Sequence, residues 1–69
     1  MKITVNGEIK HIELGNEEFL LSSTLQFLGY KPNTVVVEVN DLIINSMKWD
    51  NLTLKDGDRL EIVSVVGGG

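Results

Sequence analysis

The last six residues of the chain, SVVGGG, are the part of the sequence whose residue types most clearly allow chemistry. Glycine has no side chain, so Gly67 and Gly68 can thread a slot that is too narrow for any other residue. Three extended residues reach about 10 Å, far enough to bring the terminal carboxylate of Gly69 into the enclosed active site of another protein. The plainer interpretation is a frayed terminus. The abrupt change from valine to glycine favours a functional tail.

A terminal carboxylate is a poor electrophile and must be activated before it can carry a group. The simplest activation is attack of the carboxylate on the α-phosphate of ATP, which gives an acyl-adenylate. A sulfur donor then displaces AMP and leaves a thiocarboxylate, which is ionised at neutral pH and is a good sulfur nucleophile. In this chemistry the chain supplies a recognisable body and a reactive end, as carrier groups do, and a second protein supplies the catalysis.

Other side chains that could do chemistry have plainer structural interpretations. His11 is the only histidine and the chain has no cysteine, so a metal site at His11 is not expected. Residues 55–58, KDGD, lack the further oxygen ligands of a calcium loop, and they predict a turn at Asp56-Gly57. Trp49 is interpreted as a lid over one end of the core.

The carboxylates and hydroxyls near the predicted helix are not expected to be catalytic either. Glu17 and Glu18 are adjacent in a polar loop, where burial does not raise the pKa of either carboxyl group, so they are interpreted as solvated charges. Ser22, Ser23 and Thr24 have no neighbouring base to activate a hydroxyl, which argues against nucleophilic catalysis.

The size and charge of the chain limit the functions that it can have alone. Sixty-nine residues form one small domain that cannot enclose a large ligand cavity, so the chain is not expected to be an enzyme. Ten acidic and six scattered basic residues give a net charge of −4, which predicts a partner with a basic docking face and not nucleic acid. No signal segment or membrane-spanning run is found, which predicts a cytoplasmic protein with no membrane partner.

Alternating apolar residues predict five strands. Asn6-Gly7 predicts a type I′ hairpin turn, and Asn40-Asp41 predicts a second turn. Ile9 and Ile12 are the main apolar residues of the second strand. The predicted strands cover residues 2–5, 8–13, 34–39, 42–44 and 59–65.

One short helix is predicted between the second and third strands. Leu21, Leu25 and Leu28 follow the helical spacing i, i+4, i+7. Ser22 or Ser23 is the predicted N-cap, and with Ser23 the side chain of Gln26 completes a capping box. Gly29 stands where a left-handed C-terminal residue is expected. So short a helix is stable only when its apolar stripe packs on a sheet.

The order of these elements predicts an α+β fold. The first and last strands are free to pair in parallel at the centre of a mixed sheet of four to five strands, with the helix on one face. This is the β-grasp, or ubiquitin-like, roll. Residues 1–65 are predicted to form the single domain and residues 66–69 a flexible glycine tail.

The sheet face opposite the helix is predicted to carry an apolar patch. Leu60 and Ile62 point towards the helix, so Val63 and Val65 point away from it, as does Val36 on the third strand. Apolar patches of this kind mark partner sites, whereas valines that are exposed singly need no explanation.

Five pieces of sequence together resemble a known family. They are ITVNGE at the start, LQFLGY in the helix, VVVEVND, Trp49 and the ending LKDGDRLEIVSVVGGG. With the order of elements they resemble the ubiquitin-like sulfur carriers, and among these the ThiS family of thiamine thiazole synthesis, over the whole chain. The ending at the C-terminus is the most specific of these pieces.

The resemblance implies a role for the tail and a set of partners. Gly69 would be adenylated by a ThiF-type enzyme that uses ATP and magnesium, and would become a thiocarboxylate with sulfur from a cysteine desulfurase or a related protein. Gly67 and Gly68 would line the threading segment, and ThiG, the thiazole synthase, would receive the sulfur. The chain itself would bind no cofactor.

The sequence departs from the family pattern at two places. Many members have a Pro-Arg pair before the tryptophan where this chain has Asn45 and Ser46, so a partner contact by that arginine is not carried over. The minimal ending of the family is two glycines, and this chain has three. If the third were an added residue, Gly68 would be the reacting end.

Three alternatives remain open at the level of sequence. A molybdopterin-synthase small subunit uses the same end and the same chemistry, although such chains are usually longer. A ubiquitin-like modifier would form isopeptide bonds with other proteins. An interaction domain with an inert tail would keep its function when Gly69 is deleted.

Overall fold

A computed structural model describes residues 1–13 and 19–65 of the chain, and these form one mixed sheet and one helix. The order of elements is the predicted one. The strands and helix are β1 (Lys2–Val5), β2 (Glu8–His11), α1 (Leu21–Phe27), β3 (Val35–Val39), β4 (Leu42–Ile44) and β5 (Arg59–Ser64), with a 3₁₀ turn at Ser46–Lys48.

The five strands are arranged in the order β2-β1-β5-β3-β4. β1 and β5 are parallel, with Thr4 opposite Arg59 and Val5 opposite Leu60, and every other pairing is antiparallel. The first and last strands therefore pair in parallel inside the sheet, and the predicted β-grasp architecture is confirmed. The division into a domain of residues 1–65 and a tail of residues 66–69 stays a prediction.

Both predicted hairpin turns are present, and the type I′ geometry predicted for Asn6-Gly7 is found at Asn40-Asp41 as well. Asn6 and Gly7 have φ angles of +50° and +84°, and Asn40 and Asp41 have +49° and +72°. Positive φ at both central positions defines the type I′ turn, whose twist matches that of the flanking strands. These turns join β1 to β2 and β3 to β4 in the observed register.

The core contains the residues that the alternating pattern assigned to one face of the sheet. Trp49 is also buried, and its indole Nε1 donates a hydrogen bond of 3.1 Å to the carbonyl oxygen of Ile44, so its prediction as a core residue is confirmed. The buried cluster is made of Ile3, Val5, Ile12, Leu21, Leu25, Val35, Val37, Val39, Trp49, Leu54, Leu60 and Ile62.

The predicted serine cap of α1 is wrong. The N-cap residue is Leu20 and makes no side-chain cap, so Ser22 and Ser23 lie inside the helix. Backbone carbonyls of the neighbouring segment take over the capping, because the N–H of Leu21 donates to the oxygen of Leu52 at 2.8 Å and that of Ser22 to the oxygen of Trp49 at 3.1 Å. Long-range backbone pairing thus replaces the local cap.

The predicted C-terminus of α1 is confirmed. Gly29 has a φ of +92°, and its N–H donates to Gln26 while the N–H of Tyr30 donates to Leu25. These two bonds form the Schellman motif that a glycine at this position favours.

The second strand is shorter than predicted and buries only one of its two isoleucines. β2 ends at His11, and Ile9 is 63% exposed, while Ile12 is buried beyond the strand end and its N–H donates to Met1. Residues three apart cannot share a face of a regular strand, so only one isoleucine reaches the core. Within residues 1–13 and 19–65, no helix is long and apolar enough to cross a membrane.

Candidate carrier tail and docking face

The strand that leads to the tail lies in the interior of the sheet. β5 lies between β1 and β3, and after its end the N–H of Val65 still donates to the carbonyl oxygen of Thr34 at 2.8 Å. The chain therefore stays attached to the sheet as far as the last residue described. Gly67, Gly68 and Gly69 lie outside the described residues, and their roles stay predictions.

Asn6 holds β5 from the other side. Its backbone N–H donates to Leu60 at 2.9 Å, its side-chain Oδ1 accepts from the N–H of Ile62 at 2.7 Å, and its Nδ2 donates to the oxygen of Ile62 at 3.1 Å. At the point where β1 turns away, the amide side chain of Asn6 thus makes the two hydrogen bonds to Ile62 that a further strand residue would have made. The sequence predicted only the turn at Asn6, because a long-range bond to residue 62 leaves no local signal.

Beside the end of β5 the open face of the sheet carries exposed apolar side chains. Val36 and Val63 lie directly opposite each other and are 43% and 60% exposed, and Val65 is 45% exposed. Ile43 on β4 is 71% exposed, and it lies opposite Glu38 and so one diagonal step from Val36. We call Val36, Ile43, Val63 and Val65 the open-face patch.

The structure therefore brings the three predicted valines together and adds Ile43, which sequence reasoning missed. The signal for Ile43 was weak, because β4 has only three residues, all of them apolar, and such a run shows no alternation. Its pairing with β3, rather than its own pattern, assigns it to the open face.

Carboxylates border the open-face patch. Glu38 and Glu61 lie directly opposite each other on β3 and β5. They form a hydrogen-bonded pair, in which the two Cα atoms are about 5.5 Å apart. Arg59, two residues from Glu61, pairs instead with Asp41 at 2.8 Å. Like charges directly opposite each other are unfavourable within the sheet, and they favour a partner that brings positive charge.

Asn45 and Ser46 lie at the start of the 3₁₀ turn. The side-chain Oδ1 of Asn45 accepts from the N–H of Met47 at 2.9 Å and so begins the 3₁₀ turn. Both residues line a shallow depression that also includes Val36 and Ile43. Asn45 and Ser46 are therefore next to the open-face patch.

His11 and the two aspartates of residues 55–58, which were not expected to do chemistry, are either exposed or hydrogen-bonded to the backbone. His11 is exposed on β2. In the turn at residues 55–58, Asp56 accepts from the N–H of Lys2 and Asp58 from that of Lys55, which commits both carboxylates to backbone donors. Within residues 1–13 and 19–65, no group of three or more metal-ligating side chains is found. Glu17 and Glu18 lie outside this part of the chain.

Known proteins resemble this chain in sequence and in fold. The model of the ThiS family matches residues 2–69. The crystal structure of the thiamine biosynthesis protein ThiS from Geobacter metallireducens is 33% identical, covers all of both chains and superposes with a TM-score of 0.81. The solution structure of a thiamine biosynthesis protein from the same organism gives 0.78 at 33% identity, covering all of this chain and 88% of the other.

Curated relatives include proteins that are much longer than this chain. A thiazole synthase of Magnetococcus marinus is 35% identical over all 69 residues, which make up 20% of its length. This chain thus spans a fifth of that relative. The family match over almost the whole chain and the likeness to both ThiS structures show that the chain belongs to the ThiS family of sulfur carriers in thiamine biosynthesis.

Proposed function

We propose that the chain carries sulfur as a thiocarboxylate on Gly69 and donates it to the forming thiazole ring of thiamine. The observation that carries the proposal is the family match, which extends through the glycine ending to residue 69. The position of β5 supports it, because hydrogen bonding holds the chain on the sheet up to Val65, directly before the segment that contains the glycines. The chain acts in this proposal as a co-substrate and not as an enzyme.

Two steps charge the carrier, and both are catalysed by other proteins. The carboxylate of Gly69 attacks the α-phosphate of ATP on a ThiF-type adenylyltransferase, which uses magnesium, and pyrophosphate leaves. The terminal sulfur of a persulfide on a cysteine desulfurase or a related donor then displaces AMP, which departs with one carboxylate oxygen. A thiol reductant completes this second step by cleaving the resulting acyl disulfide, which releases the thiocarboxylate. Gly67 and Gly68 provide the narrow segment that passes into the enzyme.

The thiazole synthase ThiG is the proposed acceptor of the sulfur. In the relative from Magnetococcus marinus, a sequence like this one forms part of a longer thiazole synthase. Two functions that are joined in one chain in some organisms are expected to work in contact when they are on separate chains. The proposed contact surface, for the adenylating enzyme as well as for ThiG, is the open-face patch, with Val36, Val63 and Val65, beside the acidic pair of Glu38 and Glu61.

The test of the carrier function is the intact mass of the protein after charging. The purified chain is incubated with a ThiF-type enzyme, ATP, magnesium and a sulfur source. We expect the mass change of replacing one oxygen by sulfur, and no change when Gly69 is deleted. Absence of an adenylate or a mass change, with an enzyme shown to be active on its own carrier, would contradict the proposal.

A second assay separates the thiazole function from the molybdopterin alternative, which shares the charging chemistry. The charged protein is mixed in turn with a purified thiazole synthase and with a large molybdopterin-synthase subunit. We expect a complex and consumption of the thiocarboxylate with the thiazole synthase alone.

A further inference from the structure

The two edges of β5 end at different points. On the β3 side, hydrogen bonding continues to Val65, which donates to Thr34. On the β1 side, the last bonds are those between Ile62 and the side chain of Asn6. The strand therefore keeps a neighbour on one side after it has lost its neighbour on the other.

Ser64 is the residue that this difference leaves unpaired. Successive residues of a strand direct their N–H and C=O groups to opposite edges. Leu60 and Ile62 direct theirs towards β1, because both bond to Asn6, so Ser64 directs its groups to the same side. Within residues 1–13 and 19–65, neither group of Ser64 has a hydrogen-bond partner on that side.

The length of the tail puts this edge at the surface of whichever enzyme reacts with Gly69. Residues 66–69 span at most about 14 Å when fully extended. An enclosed active site uses most of that length, so its entrance must lie close to the end of β5. Ile62, Ser64 and Val65 are then within the interface.

We propose that the adenylating enzyme adds an extended segment of its own to β5 at Ser64, on the side that β1 leaves. This inference rests on the proposed carrier function. Unpaired strand edges are ready templates for strand addition, in which main-chain bonds provide affinity. Asn6 closes the edge as far as Ile62, so the added segment pairs with β5 at Ser64.

Strand addition explains how a tail of glycines is guided. Glycine side chains offer nothing to recognise, and free glycine populates many backbone conformations. Pairing at Ser64 fixes the direction in which the chain leaves the sheet. It therefore aligns Gly67, Gly68 and Gly69 with the active site before the carboxylate reacts.

Hydrogen exchange at the Ser64 amide tests the inference directly. The amide of Ser64 is expected to exchange rapidly in the free protein and to be protected at least tenfold in the complex with the adenylating enzyme. The outward N–H of Ile9 is the control. Ile9 lies opposite Thr4, whose N–H donates away from β2 to Asp58, so the N–H of Ile9 faces the outer edge of the sheet.

A backbone ester measures the contribution of the same bond. Replacing Ser64 by its α-hydroxy acid in a synthetic chain removes the N–H and keeps the side chain. We expect the Kd for the adenylating enzyme to rise about two- to tenfold, as for loss of one hydrogen bond. The matched ester at Ile9 removes another outward N–H and is expected to leave the Kd unchanged.

The outcomes separate this inference from the carrier function. If the unmodified chain forms an adenylate but the Ser64 amide stays unprotected and its ester binds normally, strand addition is wrong and the carrier function stands. If both esters weaken binding equally, strand addition at Ser64 is also wrong. If the unmodified chain forms no adenylate, both proposals are overturned.

Discussion

The two faces of β5 differ in what they contact. Leu60 and Ile62 are buried in the core, whereas Glu61 and Val63 are exposed on the open face. The strand alternates strictly, so one run of six residues supplies both the centre of the core and the centre of the proposed docking face. In so small a domain, substitutions on β5 should therefore separate into those that change folding and those that change partner binding.

The largest expected effect is on the buried face. Leu60→Ala removes a fully buried side chain, which costs about 3 kcal/mol of unfolding free energy. A chain of this length is expected to have a total of only about 3–10 kcal/mol. Denaturant unfolding measures the loss, and Val63→Ala on the same strand is the control, with an expected loss below about 1 kcal/mol. Equal losses would contradict the division of the two faces.

The next effect concerns the edge of β5. Asn6→Gly keeps the positive φ of the turn but removes both side-chain bonds to Ile62, which should cost about 2 kcal/mol. Asn6→Asp keeps the acceptor for the N–H of Ile62 and should lose less. Thermal or denaturant unfolding orders the three proteins. If Asn6→Gly were as stable as the original chain, the side chain would not hold β5.

The comparison of the faces also shows why much of the fold could be predicted. The alternating pattern of β3 assigned Val35, Val37 and Val39 to the core. A strand that is buried on one face carries apolar residues at every second position, so the pattern identifies that face. The Asn-Gly and Asn-Asp turns and Gly29 were predictable for a similar reason. Each needs a positive φ that few residues adopt, so the sequence at that point is sufficient.

The features that were not predicted depend on contacts between distant residues. The start of α1 was misplaced because the N–H groups of Leu21 and Ser22 are capped by carbonyls about thirty residues away. The role of Asn6 depends on Ile62, and the place of Ile43 depends on its pairing with β3. Local sequence carries no signal for such partners. The role of the glycine ending stays a prediction from sequence, whereas the acidic border and Ile43 needed the strand register.

Substitutions on the open face are expected to change the free energy of unfolding only slightly. Their main effect should be on the rate of adenylation. Val63→Asp places a charge in the open-face patch and should reduce kcat/KM for adenylation about tenfold, while unfolding changes by less than about 1 kcal/mol. Ile9→Asp is the matched control, since Ile9 is equally exposed but lies beyond β1 on the outer strand. Undiminished adenylation of Val63→Asp, in a protein that still folds, would exclude the patch as the docking surface for the adenylating enzyme.

The smallest effect has the opposite sign. Glu38→Gln removes one of two carboxylates that face each other across β3 and β5, so the folded protein should become more stable by about 0.5 kcal/mol. Concentrated salt should shrink this gain, because it screens the repulsion in the original chain. Glu8→Gln, which removes the exposed ion pair with Lys10, is the control and should give no gain.

The same variant links stability to partner binding. If the acidic pair attracts a basic enzyme surface, Glu38→Gln should bind the adenylating enzyme more weakly at low salt even though it is the more stable protein. If Glu38→Gln is more stable but binds the adenylating enzyme as tightly as the original chain, the enzyme does not bring positive charge to Glu38 and Glu61. A stability loss would contradict the repulsion itself. A surface that serves partner binding and does not stabilise the core should show such opposite changes, with higher stability and weaker binding.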